Sequence, residues 1–440
     1  MDTLTAVAAR RVALQGELDS CKTQKERNRL GQFATPTLLA SDLLAYARTL
    51  VPEDAPVWFL DPAIGTGAFY EALLRHFPAE RLKVAVGIEI DPHYGNPARR
   101  LWLDCGLKIE LDDFTAMKPP IAAERFNLLI CNPPYVRHHH IAADEKGRLQ
   151  AATSAASGVR MAGLAGLYCY FLGLAHAWLA DDGIAGWLVP SEFMDVNYGG
   201  PVKRYLLNKV ELLRIHRFEP NDLQFGDALV SSAVVWFRKR PTKSGHQVEL
   251  SYGGTLTRPT HSRRVPTSVL KHQRKWTGLA TADVKDATEG LRLADFFSIK
   301  RGLATGDNRF FILSRAEIDE HDLPLEFFRP ILPGPRYLPS DVIDAEADGV
   351  PKIERQQFIL DCRLPEEKVR ARFPKLWSYL ESGKPKVSDT YLCSRRNPWY
   401  AQETRPPPSF VHTWGGASPS DQNLFGSFLI VRRRRRQMCT

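Results

Sequence analysis

The stretch Val57-Trp58-Phe59-Leu60-Asp61-Pro62-Ala63-Ile64-Gly65-Thr66-Gly67-Ala68-Phe69 decides how this chain is read. Val57 to Leu60 is a short apolar run ending in an acid, which predicts a buried strand with a carboxylate at its end. Gly65 and Gly67 let the backbone turn tightly and approach a ligand closely. Ala68 to Phe77 then has helical spacing. Strand, glycine loop and helix in that order open a parallel α/β sheet. The loop is not a dinucleotide GxGxxG, because its third position holds the bulky Tyr70, and the chain lacks a Gly-Lys-Ser/Thr phosphate loop. A lone Gly-x-Gly is equally an ordinary tight turn and Asp61 equally a helix cap, so the flanking sequence must decide.

Downstream, the alternation continues. Val84 to Ile90 reads as the second strand and Pro92 to Asp104 as its helix. Leu107 to Leu111 and Phe126 to Cys131 are further strands, Tyr168 to Ala180 an apolar helix, and Ile184 to Val189 the next strand. Glu211 to Phe218 and Ser232 to Phe237 are close enough in sequence to pair antiparallel. The expected fold class is α/β: a doubly wound, mainly parallel, seven-stranded Rossmann-like sheet.

In such sheets ligands bind at the carboxyl ends of the strands, and acids recur there. Asp61 ends the first strand and Glu89 the second, placed to accept both hydroxyls of a ribose. Asp113-Phe114 follows the third, a carboxylate and a ring able to accept an adenine amine and flank its base. Three acids on three successive strand ends outweigh the tight-turn reading.

The fourth strand runs into Asn132-Pro133-Pro134-Tyr135. The two prolines stiffen this loop and withhold two backbone donors. What remains is acceptor-rich: the Asn132 side-chain oxygen and the Pro133 carbonyl. Such a pair can grip an aromatic NH2 group and aim its lone pair at an electrophile, while Tyr135 offers a stacking face. The work is positioning and electrostatics. His138-His139-His140 reads as a solvated loop, since three consecutive histidines cannot easily all face one ion, and no metal is expected. Val136 to Gly166, small and polar, reads as a flap over substrate.

Upstream, residues 1–30 look helical with charges on most faces. Gly31-Gln32-Phe33-Ala34-Thr35-Pro36 breaks the pattern, and Thr35-Pro36 suits a cap and first-turn proline for a helix over Leu38 to Leu50.

Composition bounds the rest. The 440 residues are enough for two or three domains, and 44% hydrophobic with 25% charged residues is an ordinary globular balance. There is no long uncharged apolar run for a membrane span and no secretory signal. Seven scattered cysteines without a CxxC pair point to free thiols in a reducing cytoplasm. The net charge of +9 is uneven: residues 1–240 are balanced, and the excess lies in 241–290 and in Arg432 to Arg436. A basic segment beside a neutral half is compatible with phosphate contact but is equally solvated surface. The expected organisation is an N-terminal helical segment over 1–30, a catalytic domain over 31–240, a basic linker over 241–290 and a second, mixed α+β domain over 291–440.

These motifs, in this order, resemble the gamma-class amino-methyltransferases of DNA, the adenine methylases of restriction-modification systems. Gly31–Pro36, including Thr35, resembles their N-terminal cofactor motif, Asp61–Phe69 with Ala63, Gly65 and Gly67 the S-adenosylmethionine loop, and Glu89 the ribose acid. Asp113-Phe114 resembles the adenine-contacting pair and Asn132–Tyr135 the catalytic motif. Phe225 to Ser232 resembles a later motif whose aromatic, here Phe225, stacks on a flipped base opposite Tyr135. Lys300 to Phe311 resembles the opening of the target-recognition domain, and Asn397-Pro398-Trp399-Tyr400 is similar to a segment typical of it. The resemblance thus implies DNA contacts from Arg301, Thr305, Asn308 and Trp399. The tail after Phe410, with its five-arginine run, departs from the family's pattern and reads as an altered end.

The resemblance implies methyl transfer from S-adenosylmethionine to the N6 amine of an adenine flipped out of double-stranded DNA. A cytoplasmic monomer is expected, and since only about 30 residues precede the first motif, too few for a domain, any restriction endonuclease is expected to be a separate partner. Two other readings stay open. One is a methyltransferase of a protein glutamine or an RNA amine, because the same loop orients any planar amine. The other is a non-catalytic DNA-binding subunit with a defective recognition domain.

Overall fold

The computed structural model describes residues 3–219, 231–281, 293–405 apart from 299, 335–336, 339, 341, 347–348 and 385, and the strands at 410–412 and 428–432. At the centre of its large sheet lies β1 (Val57–Asp61), parallel to β2 (Leu82–Glu89). Next to β2 runs β3 (Lys108–Leu111), and on the other side of β1 runs β4 (Phe126–Cys131), both parallel. β5 (Leu179–Pro190) extends the sheet in parallel, followed by β6 (Glu211–Arg217) and β7 (Ser232–Arg238). β7 inserts between β5 and β6 and is antiparallel to both. β8 (Gln247–Gly254) and β9 (Pro259–Pro266) complete the order β3-β2-β1-β4-β5-β7-β6-β8-β9.

The sheet therefore has nine strands, not seven, and the segment expected to be a basic linker supplies two of them. β8 pairs parallel with β6, and β9 antiparallel with β8. An edge strand buries little, so β9 keeps charged side chains such as Arg264 toward water and buries Val265 alone. That polarity is what gave the stretch the composition of a connector.

Alternate residues of the central strands face opposite layers, as a period of two requires. Leu60, Ile88 and Leu129 belong to one core; Phe59, Leu128 and Ile130 belong to the other. Burial on both faces is why these strands read as continuous apolar runs.

Around the sheet the chain forms α1 (Thr3–Ser20), α2 (Gln24–Leu30), α3 (Thr37–Leu50), α4 (Ala68–His76), α5 (Pro92–Leu101), α6 (Ala143–Ser157), α7 (Leu167–Leu174), α8 (Gly200–Asn208) and α9 (Thr267–His272). Helices α3, α4 and α5 feed one core; α6, α7 and α8 feed the other. α1 has no broad apolar stripe and is held largely by polar contacts. Arg11 Nε lies 2.5 Å from Glu71 Oε2 of α4 with both side chains buried, and the Tyr94 hydroxyl of α5 donates to Asp19 at 2.8 Å.

Three local expectations change. Pro36, not Thr35, occupies the cap position of α3, and no side chain caps that helix. The apolar helix expected to reach Ala180 stops at Leu174, and β5 begins at Leu179. The segment read as a small polar flap contains the 15-residue α6, whose Leu149, Thr153 and Ser157 are buried. Its alanines favour helix even though they carry little hydrophobic signal.

The chain divides into two units, residues 1–290 and 291–440. The second has mixed α+β character. It contains α10 (Leu293–Phe296), α11 (Asn308–Phe311), α12 (Arg315–Glu320), α13 (Glu366–Arg372) and α14 (Pro374–Ser382). β10 (Ile312–Leu313) and β11 (Phe328–Ile331) both pair antiparallel with a strand over 357–360, and Phe311, Leu360, Leu376 and Tyr400 fill the core beneath. A second small sheet joins β12 (Val342–Asp344) to strands over 410–412 and 428–432. Arg432 ends the last of these, and Arg433 to Arg436 lie outside the described residues. No helix among the described residues is long and apolar enough to cross a membrane.

Candidate active site

From β1 the sheet grows through β2 to β3 on one side and through β4 to β5 on the other. Its strand order therefore reverses between β1 and β4, and crevices open at such switch points, at the carboxyl ends of the strands. Asp61 ends β1, and Asn132 immediately follows β4. A cavity lies between them, lined by Asp61, Ala63, Gly65, Phe33, Thr35 and Asn132 among others. Five residues singled out from sequence, separated by almost a hundred positions, thus share one space.

The glycine loop is built by its neighbours. Asp61 Oδ1 accepts the Ala63 amide at 3.1 Å, and the Ile64 amide donates to the Ile88 carbonyl of β2 at 2.9 Å. Gly67 has φ +91°, and a Cβ there would sit 2.5 Å from the Trp102 indole nitrogen, so no larger residue fits. Gly67 therefore serves the turn rather than the cavity wall. Glu89 Oε2 accepts the Gly65 amide at 3.0 Å and Oε1 the Asp91 amide at 2.9 Å. Each oxygen keeps a lone pair for another donor.

Both acids are buried. Desolvation pushes the Asp61 carboxyl up to about 8 and the Glu89 carboxyl up to about 7, against the amides that favour their anions. The Cys131 thiol bonds to Asp61, and burial raises that thiol as well.

The third acid departs from expectation. Asp113 is half-buried, and its Oδ1 accepts the Thr115 amide and hydroxyl, each at 2.8 Å. Phe114, expected to flank a ligand ring, is 2% exposed and packs against Phe171 and Trp178, with centroids 5.1 and 5.3 Å away. It is a core residue: the pattern of an aromatic after a strand-end acid does not reveal which way the ring turns.

At the head of the Asn-Pro-Pro-Tyr loop, Asn132 Nδ2 donates to the Phe33 carbonyl at 3.0 Å and to Thr35 Oγ1 at 3.2 Å. Its Oδ1 is buried and accepts no hydrogen bond from any described residue. A buried acceptor without a partner is uncommon and costly unless a ligand uses it. Tyr135 is pinned at both ends: its amide donates to the Gly31 carbonyl at 3.3 Å, and its hydroxyl to the Leu188 carbonyl of β5 at 3.1 Å. Its ring lies 5.7 Å from that of Phe33. Phe225 lies outside the described residues.

Sequence reasoning missed Gln15, which lines the same cavity and whose Oε1 accepts the Thr66 hydroxyl at 2.6 Å. Nothing in the pattern of α1 signals that docking. Among the described residues no cluster of His, Cys, Asp and Glu is arranged to hold a metal ion, and His138–His140 form a short helical turn.

In the second unit the four expected contact residues separate. Arg301 and Asn308 are exposed, and Arg301 pairs with Glu403 at 3.6 Å. Thr305 is 3% exposed; its hydroxyl donates to Asn308 Oδ1 at 2.7 Å, and its carbonyl accepts from Arg396. Trp399 is buried against Phe310 and Phe311. Thr305 and Trp399 thus belong to the unit's interior rather than to a contact surface, because neighbours remote in sequence cover them.

Residues 103–224 match the family described as Eco57I restriction-modification methylase, and residues 273–413 match the C-terminal domain of type II methyltransferase M.Eco57I. Type II methyltransferase M.XamI from Xanthomonas campestris pv. amaranthicola is 27% identical over an alignment of 413 positions that covers 90% of this chain and 73% of that protein. M.AccI from Acinetobacter calcoaceticus is 22% identical over 403 residues, covering 87% and 71%. Among solved structures, the type IIL restriction-modification enzyme MmeI in complex with DNA superposes with a TM-score of 0.52 at 14% identity, covering 88% of this chain and 58% of that one. That likeness is one of fold. The two adjoining family matches, with relatives that align across both units, support a methyltransferase of the restriction-modification type.

Proposed function

We propose that the chain transfers a methyl group from S-adenosylmethionine to the N6 amine of an adenine extruded from double-stranded DNA. The observation that carries this reading is Asn132: its amide nitrogen is tied back into the protein while its buried oxygen is left unpaired beside the glycine-loop cavity.

The residues present suit S-adenosylmethionine. The loop Ala63–Thr66 and the segment Phe33–Thr35 wall a cavity that ends at Asn132. Glu89 would hold the ribose hydroxyls on its remaining lone pairs, and Asp113 would take the adenine amine of the cofactor. S-adenosylmethionine supplies an electrophilic methyl group.

The chain's own residues prepare the nucleophile. Asn132 Oδ1 and the Pro133 carbonyl accept the two protons of the target amine, which draws its nitrogen toward sp3 geometry and exposes its lone pair. The face of Tyr135 stacks on the base and holds it out of the duplex, offsetting an unstacking cost of a few kcal/mol; the second stacking role falls to Phe225 by its motif alone. One amine proton is released after transfer, with no general base among the roles assigned. Arg301 and Asn308, exposed in the second unit, are the side chains offered to DNA. A separate restriction endonuclease would be the natural partner, and the chain acts as a cytoplasmic monomer on this reading.

Tritiated-methyl transfer to duplex DNA, to RNA and to protein tests the substrate class. Incorporation into DNA, recovered as N6-methyladenine, is expected. Asn132→Ala should lower it by about 10²–10³-fold while leaving cofactor binding largely intact. Methyl recovered on a protein glutamine or on RNA instead, or full activity of Asn132→Ala, would overturn the assignment.

A further inference from the structure

We infer that the Phe33 carbonyl selects which end of the Asn132 amide meets the target amine and that Thr35 holds the amide in that orientation, so that Thr35 is a positioning residue of the transfer step. The inference rests on the function proposed above and deepens it.

The oxygen and nitrogen of a carboxamide are nearly the same size, so shape alone does not choose between its two flipped orientations. Hydrogen bonds must choose. Only one orientation is useful here: an NH2 group facing another NH2 group sets donor against donor, whereas the oxygen accepts. The Phe33 carbonyl is a pure acceptor and can be satisfied only by Nδ2. Thr35 Oγ1 accepts from the same nitrogen; a hydroxyl could also donate to an oxygen, so the Phe33 carbonyl makes the choice and Thr35 holds the amide in it. With both protons held, Oδ1 must face the other way, where it has no partner among the described residues.

The surroundings make this latch rigid. Gly31 has φ +66°, and a Cβ there would run into the Tyr135 backbone nitrogen, so the 31–35 segment lies directly on the Asn-Pro-Pro-Tyr loop. The Tyr135 amide bonds back to the Gly31 carbonyl. The Gln32 side chain donates to Asp91 at 2.8 Å and accepts from Lys22 at 3.1 Å, which anchors the segment from its far side. The Thr35 hydroxyl does not cap α3, which has no side-chain cap. Removing it therefore does not unmake the helix.

The test uses the full chain and compares Thr35→Val with Thr35→Ser. Three quantities are read: the single-turnover rate of methyl transfer to plasmid DNA from an unmethylated host, the affinity for tritiated S-adenosylmethionine by equilibrium dialysis, and the Asn132 side-chain amide signals of 15N-asparagine-labelled protein. Thr35→Val should slow transfer roughly tenfold, the effect of one hydrogen bond, lower cofactor affinity by clearly less than it lowers the rate, and shift one Asn132 amide proton upfield. Thr35→Ser should restore all three readings.

Normal transfer by Thr35→Val beside inactive Asn132→Ala overturns the inference and leaves the proposed function standing. Cofactor affinity lost in proportion to rate, or Thr35→Ser as slow as Thr35→Val, makes Thr35 a cofactor contact or a packing residue and also overturns it. If wild-type protein methylates no DNA, the proposed function fails, and the amide spectrum decides alone: an unchanged Asn132 signal in Thr35→Val sinks the inference, while a shifted one retains it for whichever planar amine is bound.

Discussion

The carboxyl edge of the large sheet and the opening of the second unit both carried named contact residues, and the structure treats them differently. At the sheet edge, Thr35, Asp61, Ala63, Gly65 and Asn132 converge on one cavity. In the second unit, Thr305 and Trp399 turn inward while Arg301 and Asn308 stay in solvent. Asp61 and Asn132 stand at strand ends, which face the crevice by topology, and Ala63 and Gly65 are tied to the strand-end acids Asp61 and Glu89 by their amides. The expected contact residues of the second unit have no such anchor, and their exposure depends on neighbours far away in sequence.

The contrast is sharpest at Trp399. If it is interior, Trp399→Ala should destabilise the second unit by about 3–5 kcal/mol, the usual cost of emptying a large aromatic site, seen as an earlier urea transition. Arg301→Ala should leave that transition within about 1 kcal/mol, because its pair with Glu403 is exposed. Its expected effect is on DNA: weaker binding across sequences and a salt-dependence slope reduced by about 1. A Trp399→Ala protein of normal stability that loses only DNA binding would restore Trp399 to a contact surface and break the comparison.

Gly31 probes the other region. Its positive φ and the approach of Tyr135 leave no space for a methyl group. Gly31→Ala should cost about 1–3 kcal/mol of local strain and, by pushing the 31–35 segment off the loop, reduce methyl transfer by more than its effect on stability alone explains. A substitution harmless to both would show that the segment and the loop are not in register.

Much of the sheet was legible in advance because its strands are buried on both faces and bounded by glycine and proline. β1, β4 and β7 lie within a residue of their expected ends. β8 and β9 were not legible, since β9 buries one residue and displays arginine like a connector. At the site, the chemistry of Asn132 could be read from residue type, and its orientation could not. That depends on the Phe33 carbonyl, which every residue type carries and no sequence pattern marks. Phe114 was misread for a similar reason: the motif fixes its place on the chain, whereas Phe171 and Trp178 fix the direction of its ring.

The smallest expected effect is on the pH dependence of stability, and here the two regions should differ in sign. Asp61 and Glu89, in the first unit, are raised to about 8 and about 7 by burial. Their folded values lie above their unfolded ones, so the folded state holds the extra protons. The stability this gives is complete at acid pH and is lost as pH rises through 7 and 8. Glu317, in the second unit, is held below the ordinary range by the Ser314 amide and hydroxyl. Its contribution has the opposite course: present above the unfolded value and lost as pH falls through the folded one. The urea midpoint of the first transition in ligand-free protein should therefore drop between pH 6 and pH 8.5, and Asp61→Asn should flatten that drop. A midpoint that rises over the same range would mean that the strand-end acids are already ionised and solvated. The sheet edge would then resemble the open surface around Arg301 more than a closed crevice.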